Sequence, residues 1–507
     1  MATIQPALPL AIVVFSSLLG ALTAIISRQV PDPYMDEIFH IPQAQQYCLG
    51  IFDQWDSKLT TPPGLYLISA NLHWISEALM SNSMAKGCTV VQLRTLNAGF
   101  GLATLVVIYN IIPLLHPSRK HLATENALEA FIISLFPISF FFHLMYYTDS
   151  GSTFFVLFAY YLSLQDMYFI SALAGAVSIW FRQTNVVWIA FIAMTVCIRY
   201  FQKKYPKTTK DCLAIDLEGF GHFKQIISQF ITNLIFHIPS LCVLLWPYIL
   251  VILSFIAFVI HNGGIVLGDK SNHMAGVHIP QLYYFFAFST FFGCFPINVL
   301  GAVMALPSAI ARSTQSVPSL LGFWLVLPVA MYETIRHFTI EHPFILADNR
   351  HYTFYLWKNV FRRYASARYA LIPGYMFCIW AITRQLSKKR SVLWVVAYVG
   401  SVAATLIPSP LLEFRYFVIP YMLLRLHLSM ECGSASGDSD GDKRRSSHRG
   451  GWIAHLLLEC VLFVAVNVFV FYMFLERPFL WPAPTEPPSP LNGAGNVLSG
   501  EKMRFMW

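Results

Sequence analysis

Charged side chains are scarce in this chain. Asp, Glu, Lys and Arg make up 12% of its 507 residues, against 56% hydrophobic residues and a mean hydropathy of +0.55. That scarcity excludes a soluble globular domain, where charged residues run to about 25%. Sequons for N-glycosylation are lacking altogether, so glycans give no marker of membrane sidedness. None of the nine cysteines forms a close pair with metal-ligand spacing, and Cys197, Cys242, Cys294 and Cys460 fall inside apolar runs. Buried free thiols are the expectation. The first apolar run, residues 8 to 27, has neither a basic leader nor a convincing cleavage site and reads as a retained membrane helix. The net charge of +8 is scattered in short clusters instead of a stripe, which argues against a nucleic-acid partner.

Apolar runs are what the chain has in abundance. They recur from residue 8 almost to residue 475 and, with no water in a bilayer to satisfy backbone groups, must be helices. Basic clusters at Arg119 and Lys120, at Lys203, Lys204, Lys207 and Lys210, at Arg384, Lys388, Lys389 and Arg390, and at Lys443, Arg444, Arg445 and Arg449 can all be put on one side. Under the positive-inside rule that side is cytosolic. The resulting expectation is an all-alpha polytopic protein with about thirteen crossings and a cytosolic N-terminus. Its spans lie near 8–28, 93–115, 124–146, 151–165, 168–181, 186–200, 238–261, 280–306, 317–335, 366–383, 391–407, 414–430 and 453–474. The run 280–306 carries Pro296 and is open to breaking in two. Residues 1–432 then form a transmembrane core, 433–451 a flexible cytosolic linker, and 452–507 a last span with its tail, in which 481–499 is flexible.

Four polar segments fall on the opposite face: 29–91, 262–279, 336–365 and 408–416. An active site is expected there. In the first, Asp32, Asp36, Glu37 and His40 lie within nine residues, with Asp36 and His40 at helical i,i+4 spacing. A carboxylate shielded by aromatics near a membrane surface can act as a general base, whereas the plainer reading of Asp32 and Asp36 is helix capping. No second carboxylate cluster accompanies them, so no metal is expected. Arg182, in FRQTN, can hold a phosphate or pair with Asp149. Asp269, Lys270, His273 and His278 share a glycine-bearing loop that lacks a nucleotide-binding fingerprint. The segment 336–365 alternates His342, Asp348, Asn349, Arg350, His351 and Lys358 with Tyr352, Phe354, Tyr355 and Trp357, a mixture suited to sugar rings and their hydroxyls. Glu413 and Arg415 form an internal pair or leave the arginine to a phosphate.

YMDEIFHIPQAQQYC, QWDSKLTTPPGLY, FRQTNVVW, GDKSNHMAGVHIPQLYYFF, LADNRHYTFYLWK, LLEFRYFVIPY and the terminal RFMW together resemble the family of dolichyl-phosphate-glucose-dependent alpha-1,2-glucosyltransferases of the endoplasmic reticulum. The resemblance runs in order from about residue 34 to residue 507, leaving out 433–451 and 481–499; Pro62 stands where the family pattern has leucine. It implies a GT-C glycosyltransferase fold, a lumenal active site, and inverting transfer of a terminal third glucose from dolichyl phosphate beta-glucose to Glc2Man9GlcNAc2-diphosphodolichol, in membrane lipid and without a cofactor. Carried onto this sequence, it implies Asp36 as base with Glu37 and His40 orienting it. Arg182, Arg350, Lys358 and Arg415 are implied for the donor phosphate, and Asp269, His273, Asp348, Asn349, His351, Tyr352, Trp357 and Glu413 for sugar or acceptor. A transporter or a channel-associated subunit is the rival class. The transporter predicts internal two-fold repetition, which the sequence lacks, and a channel-associated subunit would not need four chemically dense segments on one face.

Overall fold

A computed structural model describes residues 7–79, 87–209, 211–270, 275–313, 322–428, 441–480 and 502–507. The fold is all-alpha, apart from a two-residue antiparallel pairing of Phe479–Leu480 with Lys502–Met503. The first nine helices are α1 (Ala7–Gln29), α2 (Glu37–Cys48), α3 (Gly64–Leu79), α4 (Val90–Leu115), α5 (Ala123–Ser134), α6 (Pro137–Phe142), α7 (Thr148–Leu164), α8 (Tyr168–Ile179) and α9 (Asn185–Lys204). Among the described residues, five helices are long and apolar enough to cross a membrane: Ala7–Gln29, Val90–Leu115, Asn185–Lys204, Ile238–Asn262 and Gly450–Glu476.

Local chemistry sets the helix ends. Thr89 opens α4 with a capping box, its hydroxyl accepting from the Gln92 amide while the Gln92 side chain accepts from Thr89 N at 2.8 Å. Pro137, at the start of α6, splits the run expected at 124–146 into α5 and α6. The run at 280–306 also breaks, into Pro280–Phe292 and Val299–Ser313, with Pro296 in the gap and Asn298 at φ 54°. A helix at Phe220–Phe236, unassigned from sequence, buries Ile226 and Phe230 while Phe220, Ile231, Ile235 and Phe236 stay exposed. Residues 433–440 of the expected linker 433–451 lie outside the described residues, and a helix already begins at Gly441.

Aromatic packing closes the core. Phe136, in the break between α5 and α6, stacks on Tyr421 at 4.3 Å and meets Phe292 and Phe463 edge-on, joining that break to three separate helices. By contrast Val243, Leu250, Leu253 and Ile260 of the helix Ile238–Asn262 are exposed, as lipid-facing side chains are.

The segments that carry three of the basic clusters, near Arg119, Lys204 and Arg390, meet at one end of the bundle. Ala214 N donates to Arg390 O and Val392 N to Cys212 O, so the segments after Lys210 and before Val392 pair directly. Lys389 reaches Leu428 O, and His116 lies 3.0 Å from Leu426 O. Arg119 departs from the expected solvated loop. It is buried, pairs with Glu129 at 2.5 Å and lies over Trp452, while Arg425 joins Glu129 to Glu459 at 2.8 and 2.7 Å. Four charges of opposite sign thus offset one another where water cannot. The helices α4, α9 and Val392–Leu406 each run from this end to the other, where the polar segments gather.

Candidate active site

The polar end is organised by α4. Arg94 and Asn97, three residues apart, face the same way. Arg94 grips Glu37 through Nε to Oε1 at 2.9 Å and Nη2 to Oε2 at 2.5 Å, and donates to Val30 O at 2.7 Å. Asn97 donates to Met145 O and Tyr147 O at 2.6 and 2.7 Å. Glu37 also accepts from Tyr34 N and Tyr146 N, so both its oxygens are occupied and its side chain is wholly buried. It therefore anchors the loop and does not reach Asp36 as an orienting group, contrary to the expectation from the paired acids. Breaking a buried pair of this kind costs about 3–5 kcal/mol. Glu37→Gln should accordingly lower the thermal midpoint and the folded yield of purified protein, with the surviving fraction keeping its turnover; a normal midpoint with lost turnover would contradict the anchor role.

Met35, at φ 57°, turns the chain so that Asp36 directly precedes α2. Asp36 makes no side-chain cap; its carboxylate instead reaches Arg415 Nη1 at 2.8 Å, and its amide donates to Tyr147 Oη. Arg415 also pairs with Glu413 and sits between the Tyr147 and Tyr416 rings, each 5.9 Å away. Tyr416 is flanked on another side by Arg182, at 5.4 Å, which Asp149 holds at 3.0 Å. Three carboxylates here face two guanidiniums, leaving one excess negative charge.

Burial pushes the Asp36 carboxyl up, but Arg415 outweighs it, with smaller help from His40 and His351, and holds its pKa below the ordinary value. Glu413 is likewise lowered, burial being overcome by Arg415. Burial pulls His40 down to about 4, so at neutral pH it is an uncharged imidazole, its Nδ1 2.6 Å from Tyr66 Oη.

The run Thr60–Gly64 is pinned beside this group. Gln183 donates to Thr60 O at 2.7 Å and Gly64 N to Trp180 O at 3.0 Å. A Cβ on Gly64 would lie 2.6 Å from that carbonyl, so only glycine permits the approach that brings Arg182 in. Asp269 is exposed on a loop whose backbone pairs with Ser57 and Thr60. His273 lies outside the described residues.

From the segment 336–365, His351 comes close enough to influence both Asp36 and Glu413. Asp348 holds Arg350 in a two-pronged pair at 2.8 and 2.6 Å, so that arginine is committed to its neighbour. Asn349 Oδ1 and Tyr352 Oη are buried without hydrogen-bond partners among the described residues. Two residues depart from the expected site. Trp357 is fully buried, its indole bonded to Glu341 at 2.7 Å, and offers no open face to a sugar. Lys358 is exposed over Phe354, and among the described residues no hydrogen bond, ion pair or ring contact joins it to the Asp36–Arg415 group. Among the described residues no three His, Cys, Asp or Glu side chains are grouped to hold a metal ion.

Arg94, Asn97 and Tyr147 were missed from sequence. A signal existed for the first two, an arginine and an asparagine one turn apart where an apolar helix begins. Cys48 and Cys88 also correct the reading of free thiols: they form a disulfide, with Cα atoms 6.0 Å apart, that ties the end of α2 to the start of α4. A sequence separation of 40 hid the pairing.

Residues 30–426 match the DIE2/ALG10 family. The chain is 36% identical over 498 residues to the Dol-P-Glc:Glc(2)Man(9)GlcNAc(2)-PP-Dol alpha-1,2-glucosyltransferase of Mus musculus, covering 96% of this chain and 95% of that one. Proteins of the same name from Arabidopsis thaliana and Drosophila melanogaster are 33% and 35% identical, with 91% and 89% of this chain covered and 95% and 91% of theirs. No solved structure matches.

Proposed function

This chain belongs to the DIE2/ALG10 family, and on that premise we propose a reading of its site: it transfers glucose from dolichyl phosphate glucose to Glc2Man9GlcNAc2-diphosphodolichol in alpha-1,2 linkage, with Asp36 as the base. It is a multi-pass glycosyltransferase of the endoplasmic reticulum membrane, with the GT-C type of fold, serving protein N-glycosylation. The donor is the beta anomer and the reaction a single inverting displacement. The acceptor 2-hydroxyl gives its proton to Asp36 as it attacks the anomeric carbon; the bond from that carbon to the phosphate oxygen breaks, and dolichyl phosphate departs with the electron pair. Arg415 and Arg182, one on either side of Tyr416, meet the charge that grows on the phosphate.

The observation that carries this reading is the sharing of Arg415 between Asp36 and Glu413. A phosphate arriving at Arg415 draws its guanidinium away from Asp36, so the carboxylate becomes more basic as the donor seats. Base strength and donor occupancy are thereby linked. His40 stays neutral and buttresses the loop through Tyr66. Asn349 and His351 contact sugar hydroxyls, while Arg350 and Asp348 stiffen the segment that carries them.

About thirteen helices cross the membrane, the N-terminus is cytosolic, and the site faces the lumen. Two independent features support that orientation: the basic end lies opposite the site, and the Cys48–Cys88 disulfide belongs in an oxidising compartment. Residues 1–432 form the catalytic core, with 433–451 as connector and 452–507 as the last span and tail. No metal is required, since the donor carries a single phosphate and the arginines can neutralise it.

The test is transfer by purified protein from dolichyl phosphate glucose to the diglucosylated lipid-linked acceptor, with and without chelator. Transfer of one glucose at an unchanged rate under chelation is expected. Absence of transfer by folded protein would overturn the activity, and loss on chelation reversed by a divalent ion would overturn metal independence.

A further inference from the structure

Residues Lys502–Trp507 run back into the site end of the bundle as a strap. After the pairing of Lys502–Met503 with Phe479–Leu480, Arg504 exchanges two hydrogen bonds with Tyr34 Oη, both 2.7 Å, and donates to the carbonyls of Phe474 and Leu475. Met506 N donates to Arg350 O at 2.9 Å, and His351 Nδ1 lies 2.7 Å from the main-chain oxygen of Trp507. The Trp507 ring packs edge-on to Tyr352 at 5.3 Å and Phe414 at 6.0 Å. The strap thus touches the segment that precedes Asp36, the segment that carries His351, and the residue between Glu413 and Arg415. Trp507 is only partly buried, while its indole nitrogen and Tyr352 Oη are enclosed without hydrogen-bond partners among the described residues. An enclosed donor without an acceptor is costly unless a ligand supplies one.

Inversion fixes which ligand that is. Nucleophile and leaving group lie on opposite sides of the anomeric carbon. Contacts link Arg182 to Tyr416, Tyr416 to Arg415, and Arg415 to Asp36 and Glu413, while Trp507 meets the group through His351 and Phe414. With the phosphate at the arginine end, the attacking sugar arrives from the Trp507 end. We propose that the strap forms the acceptor subsite, in which Trp507 stacks on the terminal glucose of the acceptor and Trp507 Nε1 with Tyr352 Oη bonds its hydroxyls. This rests on the donor phosphate lying at Arg415 and Arg182.

The test is steady-state kinetics on the whole purified chain, varying each substrate separately, for wild type, Trp507→Ala, Trp507→Phe and Tyr352→Phe, with Asp36→Asn alongside and thermal midpoints recorded. Trp507→Ala should raise the acceptor KM about tenfold or more, with donor KM and kcat within about twofold. Trp507→Phe and Tyr352→Phe, which keep the rings, should raise it less. Unchanged acceptor KM in all three variants, a rise in donor KM in its place, or a fall in kcat that tracks a lowered midpoint would each overturn the subsite. If Asp36→Asn abolishes transfer in the same series while Trp507 proves neutral, the reading of the base stands and the inference alone fails. If wild type transfers nothing, both fall.

Discussion

Asp36→Asn should cut glucose transfer by about 10²–10⁴-fold, the span that a positioned general base contributes. The substitution is nearly isosteric. Asparagine can still accept the hydrogen bond that Arg415 Nη1 gives to Asp36 at 2.8 Å, so the loop and the arginine keep their places. What is lost is the capacity to take a proton from the attacking hydroxyl. Arg415, relieved of one of its two carboxylates, should hold the donor phosphate at least as well, so donor KM should stay level or fall while kcat collapses. A variant that folds normally and retains more than about a tenth of the wild-type rate would remove Asp36 from the role of base. Its neighbour supplies the contrast, because Glu37→Gln strikes a buried ion pair and should weaken the fold instead of the chemistry.

The two adjacent acids show what the sequence makes legible and what it hides. The cluster Asp36, Glu37 and His40 could be singled out from residue types alone, as could the four polar segments and the basic loops opposite them. The sequence could not say which acid was free to act, because that is decided by Arg94, fifty-seven residues on, and by the backbone amides of Tyr34 and Tyr146. Partners distant in sequence carry no local signature. The same reason hid the Cys48–Cys88 disulfide and the Arg119–Glu129–Arg425–Glu459 network, whose members lie far apart in sequence, three of them inside apolar runs. Aromatic richness misled in one place: Trp357 looked like a sugar platform but spends its indole on Glu341 in the interior, whereas Trp507, near the far end of the sequence, packs beside His351. Hydropathy located apolar runs well and their breaks less well, since a proline interrupts a helix without changing its apolar character.

Arg415→Gln should give the second large effect, a loss of about 10²–10³-fold in kcat/KM, the worth of one preorganised donor to a developing anion. It should also move the acid limb of the pH profile. In the wild-type site burial raises the Asp36 pKa and Arg415 is the largest influence lowering it. Asp36 is therefore ionised throughout neutral and mildly acidic solution, and kcat/KM should stay flat across that range as far as this carboxylate is concerned. With Arg415 gone burial remains, the folded-state pKa rises, and protonation that silences the base begins at a higher pH. The limb must move upward, and a limb that stayed in place or moved down would show that another group titrates there. Arg415→Lys restores a positive charge without the two-pronged geometry. It should return the limb toward its wild-type position while recovering only part of the rate, separating the effect on the base from the hold on the phosphate. On the proposed mechanism both effects trace to one guanidinium serving two anions in turn, Asp36 before the donor arrives and the phosphate after it.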